Sequence, residues 1–227
     1  MLEGAEARHL AQVLRVRSGE SITVFDGCGR RATAQVLSVT RQRVALQLGD
    51  PQTLPAPWPA ITLVQAIPKG KIMDIIVQKA VELGIAAIQP LVTRHTVVQP
   101  GGEKSAKWRR IALEACKQCG QDTLPAIADP LPFEGWLAAQ SGACGLQLIA
   151  SLAPGARPLR QVLHAAPGTR AVTLLVGPEG DFSSAETGQA LAAGFLPVSL
   201  GTIVLRVETA TLFCLAALRY EFSGSIP

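Results

Sequence analysis

The sequence predicts an α/β protein: a mostly parallel sheet covered by helices, preceded by a small β domain. Three observations predict it. Residues 20–48 alternate apolar and polar in the manner of half-buried strands, residues 50–60 hold four prolines, and beyond residue 60 apolar runs of strand length alternate with segments of helical period. The proline-rich stretch reads as an extended linker, which divides the chain into a β domain at 1–50, a linker at 51–60 and an α/β domain at 61–227.

In the first part, Ile22 and Val24 lead to a turn, Ala34 and Val36 lie beyond it, and Val44, Leu46 and Leu48 follow. The run Gly27-Cys28-Gly29-Arg30-Arg31-Ala32 fits a loose dinucleotide fingerprint, which requires a helix after the second glycine. An alternating strand follows instead, so Asp26-Gly27 reads as a hairpin turn. In the second part, strands are predicted at 61–67, 86–92, 146–150, 172–176 and 197–200. Helices are predicted at 71–83, 105–119, 184–193 and 208–222, with Gly84, Gly120 and Gly194 as stops for the first three. Strands separated by helices imply a parallel sheet covered on both faces.

Composition narrows the function classes. A chain of 227 residues that is 48% hydrophobic and 17% charged has the apolar mass for a packed core, which excludes disorder for most of it. The uncharged stretches 135–156 and 187–205 are interrupted by Gln, Ser, Gly and Pro, so neither reads as a membrane span. Glu3, Glu6 and Arg8 leave no apolar run for a signal peptide, which predicts a cytosolic protein. Five scattered cysteines do not make a disulfide framework. Cys116 and Cys119 form a C-x-x-C, but Cys119 recurs with Trp108, Ile111, Ala112 and Ala115 at helical spacing, which reads as core packing, and isolated histidines supply no further ligands, so no metal is predicted.

The net charge of +4 conceals an asymmetry: up to residue 117 there are 16 Lys and Arg against 9 Asp and Glu, and beyond it 5 against 8. Arg8, Arg15, Arg17, Arg30, Arg31, Arg41 and Arg43 face only Glu20 and Asp26 between residues 8 and 43. Such a set suits a phosphate backbone, and Lys69, Lys71 and Arg94 extend it, as do Lys104, Lys107, Arg109 and Arg110.

Ligands of an open parallel sheet bind beyond the carboxyl ends of its strands. Two loops there carry the strongest signals. Leu175-Val176-Gly177-Pro178-Glu179-Gly180 runs a buried strand into a turn whose glycines permit close approach and whose proline fixes the path, and Ser183 with Glu186 forms a capping box for the helix that follows. Leu200-Gly201-Thr202-Ile203-Val204-Leu205-Arg206-Val207-Glu208-Thr209 ends a short strand and opens the last helix. An arginine buried among these apolar neighbours requires a carboxylate partner, and Glu208 is the nearest in sequence. Pro68-Lys69-Gly70-Lys71 lacks the pattern of a P-loop, and no G-x-S-x-G elbow is present.

Six segments in order resemble the ribosomal RNA small subunit methyltransferase E family. They are Arg8-His9 through Arg15-Val16, Gly19-Glu20 through Asp26-Gly27, Gln78-Lys79 through Glu82-Leu83-Gly84, Ile111 through Gln118-Cys119-Gly120, Gly177-Pro178-Glu179-Gly180, and Leu205-Arg206 with Glu208-Thr209-Ala210. The resemblance implies a PUA-like β-barrel joined to a SPOUT-type parallel sheet whose C-terminal segment is threaded into a trefoil knot. It implies a homodimer that transfers methyl from S-adenosyl-L-methionine to N3 of a uridine in 16S rRNA, free or in the small ribosomal subunit. By the same resemblance the cofactor is held by Leu175, Val176, Gly177, Pro178, Glu179 and Gly180 together with Leu200, Gly201, Val204 and Leu205. Arg206 is then the candidate to stabilise the uracil anion, with Glu208 as its orienting partner or as a base.

Three positions depart from the family pattern. Asp181 stands where the family usually has a second glycine, Ile203 where it usually has an arginine, and Val207 where threonine or alanine is common. Family members begin further upstream, so the β domain is expected to lack its first strand. Loss of the arginine at 203 sustains a second reading, a non-catalytic RNA-binding or ribosome-assembly protein of the same fold. A third is a methyltransferase acting on another RNA. The last helix, with Leu212, Phe213, Leu215, Ala216, Leu218 and Tyr220, is apolar over more than one core-facing stripe, which suits a partner subunit.

Overall fold

The computed structural model describes residues 1–55, 58–97, 102–140 and 145–222. Residues 56 and 57 of the predicted linker, and Cys144, lie outside these. The chain divides into two compact units, Met1–Ala56 with Asp122–Leu124, and Pro57–Gln121 with Pro125–Pro227.

The first unit contains β1 (Leu2–Glu3), α1 (Gly4–Arg8), a π-helical segment (His9–Val13), β2 (Ser21–Phe25), β3 (Arg30–Val39), β4 (Arg43–Leu48) and β5 (Gln52–Thr53). Its sheet runs β1-β4-β3-β2, with β5 also on β3, and every pairing is antiparallel. Period-two burial is clean along the first part of β3, where Ala32, Ala34 and Val36 point inward. A bulge between Val36 and Ser38 then turns both Leu37 and Ser38 outward and restores Val39 to the core side. Ala7 and Leu10 pack on Val36 and Val44, which explains the apolar spacing after Arg8. Leu48, predicted as inward-facing, is exposed, because it lies at the end of β4 beyond the reach of this small core.

The hairpin turn is held by Asp26. Its Oδ1 accepts the N–H groups of Cys28 and Arg30, and its Oδ2 accepts from Arg30 Nε at 2.7 Å. The Arg30 guanidinium, with these two N–H groups, holds the Asp26 carboxyl at about 2. The turn also pairs with a distant stretch of chain: Leu124 N–H donates to Gly27 O and Gly29 N–H to Asp122 O.

The second unit contains β6 (Ala60–Ala66), α2 (Ile72–Glu82), β7 (Ala87–Val92), α3 (Gly102–Cys119), β8 (Ala126–Ile127), β9 (Leu131–Pro132), α4 (Phe133–Ala138), β10 (Leu146–Ala150), β11 (Arg157–Pro158), α5 (Leu159–His164), β12 (Ala171–Val176), α6 (Ser184–Ala192), β13 (Leu196–Ser199) and α7 (Val207–Phe222). The sheet order is β11-β13-β10-β12-β6-β7-β8, with β9 also on β7, and all pairings are parallel. This is the parallel α/β architecture the sequence predicts. Helices cover both faces of such a sheet, so β6 and β12 are buried along almost their whole length.

Met73, Ile76, Val77, Ala80 and Val81 give α2 its buried stripe at intervals of three and four residues. It ends in a Schellman motif: Gly84 N–H donates to Val81 O and Ile85 N–H to Ala80 O, with Gly84 at φ +73. Gly84 is needed for a second reason. The Arg219 guanidinium of α7 donates to the carbonyls of Leu83, Gly84 and Trp58, and it lies where a Gly84 Cβ would stand, 2.8 Å from Nη2. Cys119, placed in the core by its helical spacing, is instead exposed, because it is the last residue of α3, whereas Cys116 is buried. The short helices α4 and α5, six residues each, carry too few turns to show a period in sequence.

A comparison of two glycines tests this account. Gly70→Ala, at φ +65 in open space, pays backbone strain alone and loses about 1 kcal/mol. Gly84→Ala also displaces Arg219 from three carbonyls and loses about 2–4 kcal/mol, measured by urea unfolding. Equal losses at the two positions would remove the second role of Gly84.

Candidate active site

The carboxyl ends of β10, β12 and β13 open into one cavity of about 460 Å³. Its walls are Val176 at the end of β12 with Gly177, Pro178, Glu179 and Asp181 after it, Leu200, Gly201 and residues 203–206 between β13 and α7, Val207 and Glu208 at the start of α7, and residues 150–152 at the end of β10, with Ile72 from α2. Gln65 sets how the first two walls meet. Its amide, fully buried on β6, donates to Ala66 O at 3.0 Å and Val176 O at 3.4 Å, and its Oε1 accepts from Thr211 Oγ1 at 2.7 Å. The end of β12 and the first turns of α7 are thereby fixed on either side of one side chain.

The turn after β12 folds tightly on itself. Asp181 N–H donates to Pro178 O at 2.9 Å, and a Cβ on Gly177 would stand 2.8 Å from Asp181 Oδ1 and 3.2 Å from Phe182 N. Asp181 occupies the left-handed region at φ +55, a conformation that glycine enters freely and that aspartate tolerates through local hydrogen bonding. Here Oδ1 accepts the Phe182 N–H at 2.8 Å. Glu179 Oε1 accepts the Lys69 N–H at 2.9 Å, tying the turn to the loop after β6. Ser183 caps α6, with Glu186 Oε2 accepting from both Ser183 N and Oγ at 2.8 Å.

Of the residues proposed for a cofactor, Val176, Gly177, Pro178, Glu179, Leu200, Gly201, Val204 and Leu205 line this cavity. Leu175 does not; it is buried in the core with Phe133 and Phe182. Gly180 faces away, against the His95 side chain. Arg206 and Glu208 both line the cavity, yet Arg206 is exposed and makes no ion pair among the described residues. The expectation of a buried Arg206 held by Glu208 is therefore corrected: the segment before α7 runs along the surface, so its cation faces solvent and needs no carboxylate. Glu208 is part-buried, and its Oε2 is shielded from water with no hydrogen-bond donor among the described residues. A shielded carboxylate oxygen without a donor is costly, and it suits a ligand that brings an N–H or O–H. Leu152, Ile203 and Val204 are exposed along the rim and form an apolar lip. On α7, burial pushes the Cys214 thiol up to about 12, so it supplies no thiolate.

Residues 150–152 went unassigned in the sequence, although the carboxyl-edge rule applies to β10 as well as to β12. Lys69, Lys71 and Arg94 are exposed in the loops after β6 and β7, at the same edge of the sheet. In the first unit, Arg30 is paired with Asp26, Arg31 with Asp122 and Arg43 with Glu3, and Arg8, Arg41 and Arg43 border a second concavity of about 580 Å³ with Glu3 and Gln12. Arg15 and Arg17 are exposed. In α3, Lys107 pairs with Asp74 and Arg109 with Asp129.

Known proteins give this arrangement its class. The RNA methyltransferase domain matches residues 55–219 and the RNA methyltransferase PUA domain residues 2–49, so the chain carries both parts of an RNA methyltransferase of the PUA-bearing kind. It is 34% identical to the ribosomal RNA small subunit methyltransferase E of Synechocystis over 95% of this chain and 71% of that protein. The fold matches the Neisseria gonorrhoeae ribosomal RNA small subunit methyltransferase E bound to S-adenosyl methionine, with TM-score 0.87 and 36% identity over 97% of this chain and 91% of that one. It also matches a Legionella pneumophila methyltransferase in complex with bound SAM, with TM-score 0.84 and 35% identity over 94% and 88%. This chain belongs to the ribosomal RNA small subunit methyltransferase E family.

Glu208→Gln replaces a shielded charge by a neutral amide of the same shape. It is expected to stabilise the ligand-free protein by about 1 kcal/mol, a rise of about 2–4 °C in Tm. A lower Tm in a thermal scan would mean that Oε2 already has a partner.

Proposed function

We propose that this protein transfers a methyl group from S-adenosyl-L-methionine to N3 of a uridine in 16S rRNA, in the cytoplasm and as a homodimer. Residues 1–50 form its RNA-binding PUA-like domain, 51–60 a linker and 61–227 a catalytic domain with a knotted C-terminal segment. The observation that carries this reading is the cavity itself. Two loops separated by α6 and β13 close one cavity, with an arginine and a carboxylate oxygen on its wall that have no partner among the described residues. About 460 Å³ lies within the usual range of small-molecule sites.

The residues fit the cofactor. Backbone groups of 176–179 and 200–205 offer hydrogen bonds, the apolar lip offers cover to an aromatic ring, and Glu208 Oε2 offers an acceptor to an ammonium or a hydroxyl. When bound, the sulfonium supplies an electrophilic methyl carbon. The chain must then align the uracil and favour loss of the N3 proton. Arg206, exposed and unpaired at the cavity, carries a permanent cation that stabilises the charge spreading onto a uracil carbonyl. Glu208, no longer needed to orient Arg206, serves the ligand. Lys69, Lys71 and Arg94 at the sheet edge, and Arg8, Arg15 and Arg17 in the first unit, hold phosphates. Arg30 and Arg31 are the weakest of the proposed contacts, since each already has a carboxylate.

Strand order supports the knot. The chain leaves β13 on the far side of β10, and residues 200–206 border the same cavity as 150–152 and 176–181 before α7 packs on α2. The dimer is supported by α7, where Phe213, Ala216 and Tyr220 are exposed at intervals of three and four residues, Phe213 at 49% and Tyr220 at 87%.

Calorimetry with S-adenosyl-L-methionine, followed by methyl transfer to 30S subunits and to naked 16S rRNA with mapping of the product base, tests the reading. Arg206→Ala is expected to retain cofactor affinity and lose about 10²–10³-fold in transfer rate. Cofactor binding without transfer to any RNA would favour the non-catalytic reading, which Ile203 in place of arginine sustains. A Phe213→Glu, Tyr220→Glu variant is expected to sediment as a monomer at concentrations where the parent is a dimer.

A further inference from the structure

The loop after β7 holds the cofactor turn from behind. It is first locked on itself: Thr93 N–H donates to Thr96 Oγ1 at 3.0 Å, the two threonine hydroxyls are 2.9 Å apart, and Thr96 N–H donates to Thr93 O. From this rigid turn two contacts reach across to the segment between β12 and α6. Arg94 N–H donates to Glu186 Oε1 at 2.9 Å, the oxygen that the α6 cap leaves free. His95 Nδ1 lies 2.9 Å from Asp181 O. A carbonyl only accepts, so Nδ1 carries the proton and the tautomer is fixed. The His95 side chain also lies against Gly180, where an added Cβ would stand 3.3 Å from His95 Cβ. On its other side the same turn, through Gly177, Pro178, Glu179 and Asp181, lines the cavity.

Asp181 gives this contact its purpose. With a side chain at φ +55, the residue occupies a region that most L-residues leave for a more extended backbone. Asp181 Oδ1 secures the turn on one side through Phe182 N–H, and His95 secures its carbonyl on the other.

We propose that His95 is a positioning residue for methyl transfer, whose Nδ1–H holds the Asp181 carbonyl and so keeps turn 177–181 in the shape that receives the cofactor. The proposal rests on the cofactor reading of the cavity. His95→Ala and His95→Asn distinguish it from general structural support, because the asparagine amide nitrogen can occupy the place of Nδ1. His95→Ala is expected to raise the Kd and KM for S-adenosyl-L-methionine about tenfold, the worth of one hydrogen bond, while kcat at saturating cofactor stays within about twofold. His95→Asn is expected to recover most of that affinity. In the cofactor-free protein, amide exchange at Asp181 and Phe182 is expected to quicken in His95→Ala and to return in His95→Asn. Unchanged affinity in His95→Ala, no recovery in His95→Asn, or a fall in kcat with affinity intact would each overturn the proposal. If the parent protein itself fails to bind the cofactor, the reading of the cavity fails, while the exchange measurement still decides whether His95 holds the turn.

Discussion

The amide of Gln65 is fully buried near the carboxyl end of β6, and it bonds toward both β12 and α7. A polar group at that depth is stable only when paired, and removing one partner leaves the other to pay a desolvation penalty of about 1–3 kcal/mol. The network is therefore all-or-none. It fixes the end of β12 against the start of α7, two segments between which α6 and β13 intervene in sequence. Everything else at the cavity depends on that distance being constant, because the two loops that form its walls leave from these two points.

Parallel pairing does the rest. Strands running one way must all end at one edge, so the loops after β6, β7, β10, β12 and β13 gather there without further design. Each loop then contributes something different. The loop after β6 supplies a backbone N–H to Glu179, the loop after β7 supplies Arg94 N–H and His95, the segment before α7 supplies Arg206 and the first turn of α7 supplies Glu208. Most ties between loops use a backbone group on one side, which makes the shape of the cavity robust to surface substitution and sensitive to glycine and turn positions.

That division explains what was legible in the sequence. The α2 stripe, its glycine stop, the capping box of α6 and the buried run of β12 are local patterns with a period or a cap, and each reads correctly. Arg206 departs from its sequence pattern because its apolar neighbours, Ile203 and Val204, which by type suit an interior, form an exposed lip. The contact of Asp122–Leu124 with the β2–β3 turn joins residues nearly a hundred positions apart, and no local signal announces it. Gln65 left half a signal: a glutamine within an otherwise buried strand must find partners, but Thr211 is 146 positions away and nothing local names it. His95 left none, since its partner is a backbone carbonyl.

Strand order also has a consequence for synthesis. The sheet is complete only when β12 has been inserted between β6 and β10 and β13 between β10 and β11, and the second wall of the cavity is held by a helix that begins at Val207. A nascent chain that has emerged as far as β12 holds Gln65 without Thr211, and lacks Arg206 and Glu208. Chains fold from the N-terminal side as they emerge, so this protein passes most of its translation without a ligand site, and acquires it in a single late step when the last helix docks.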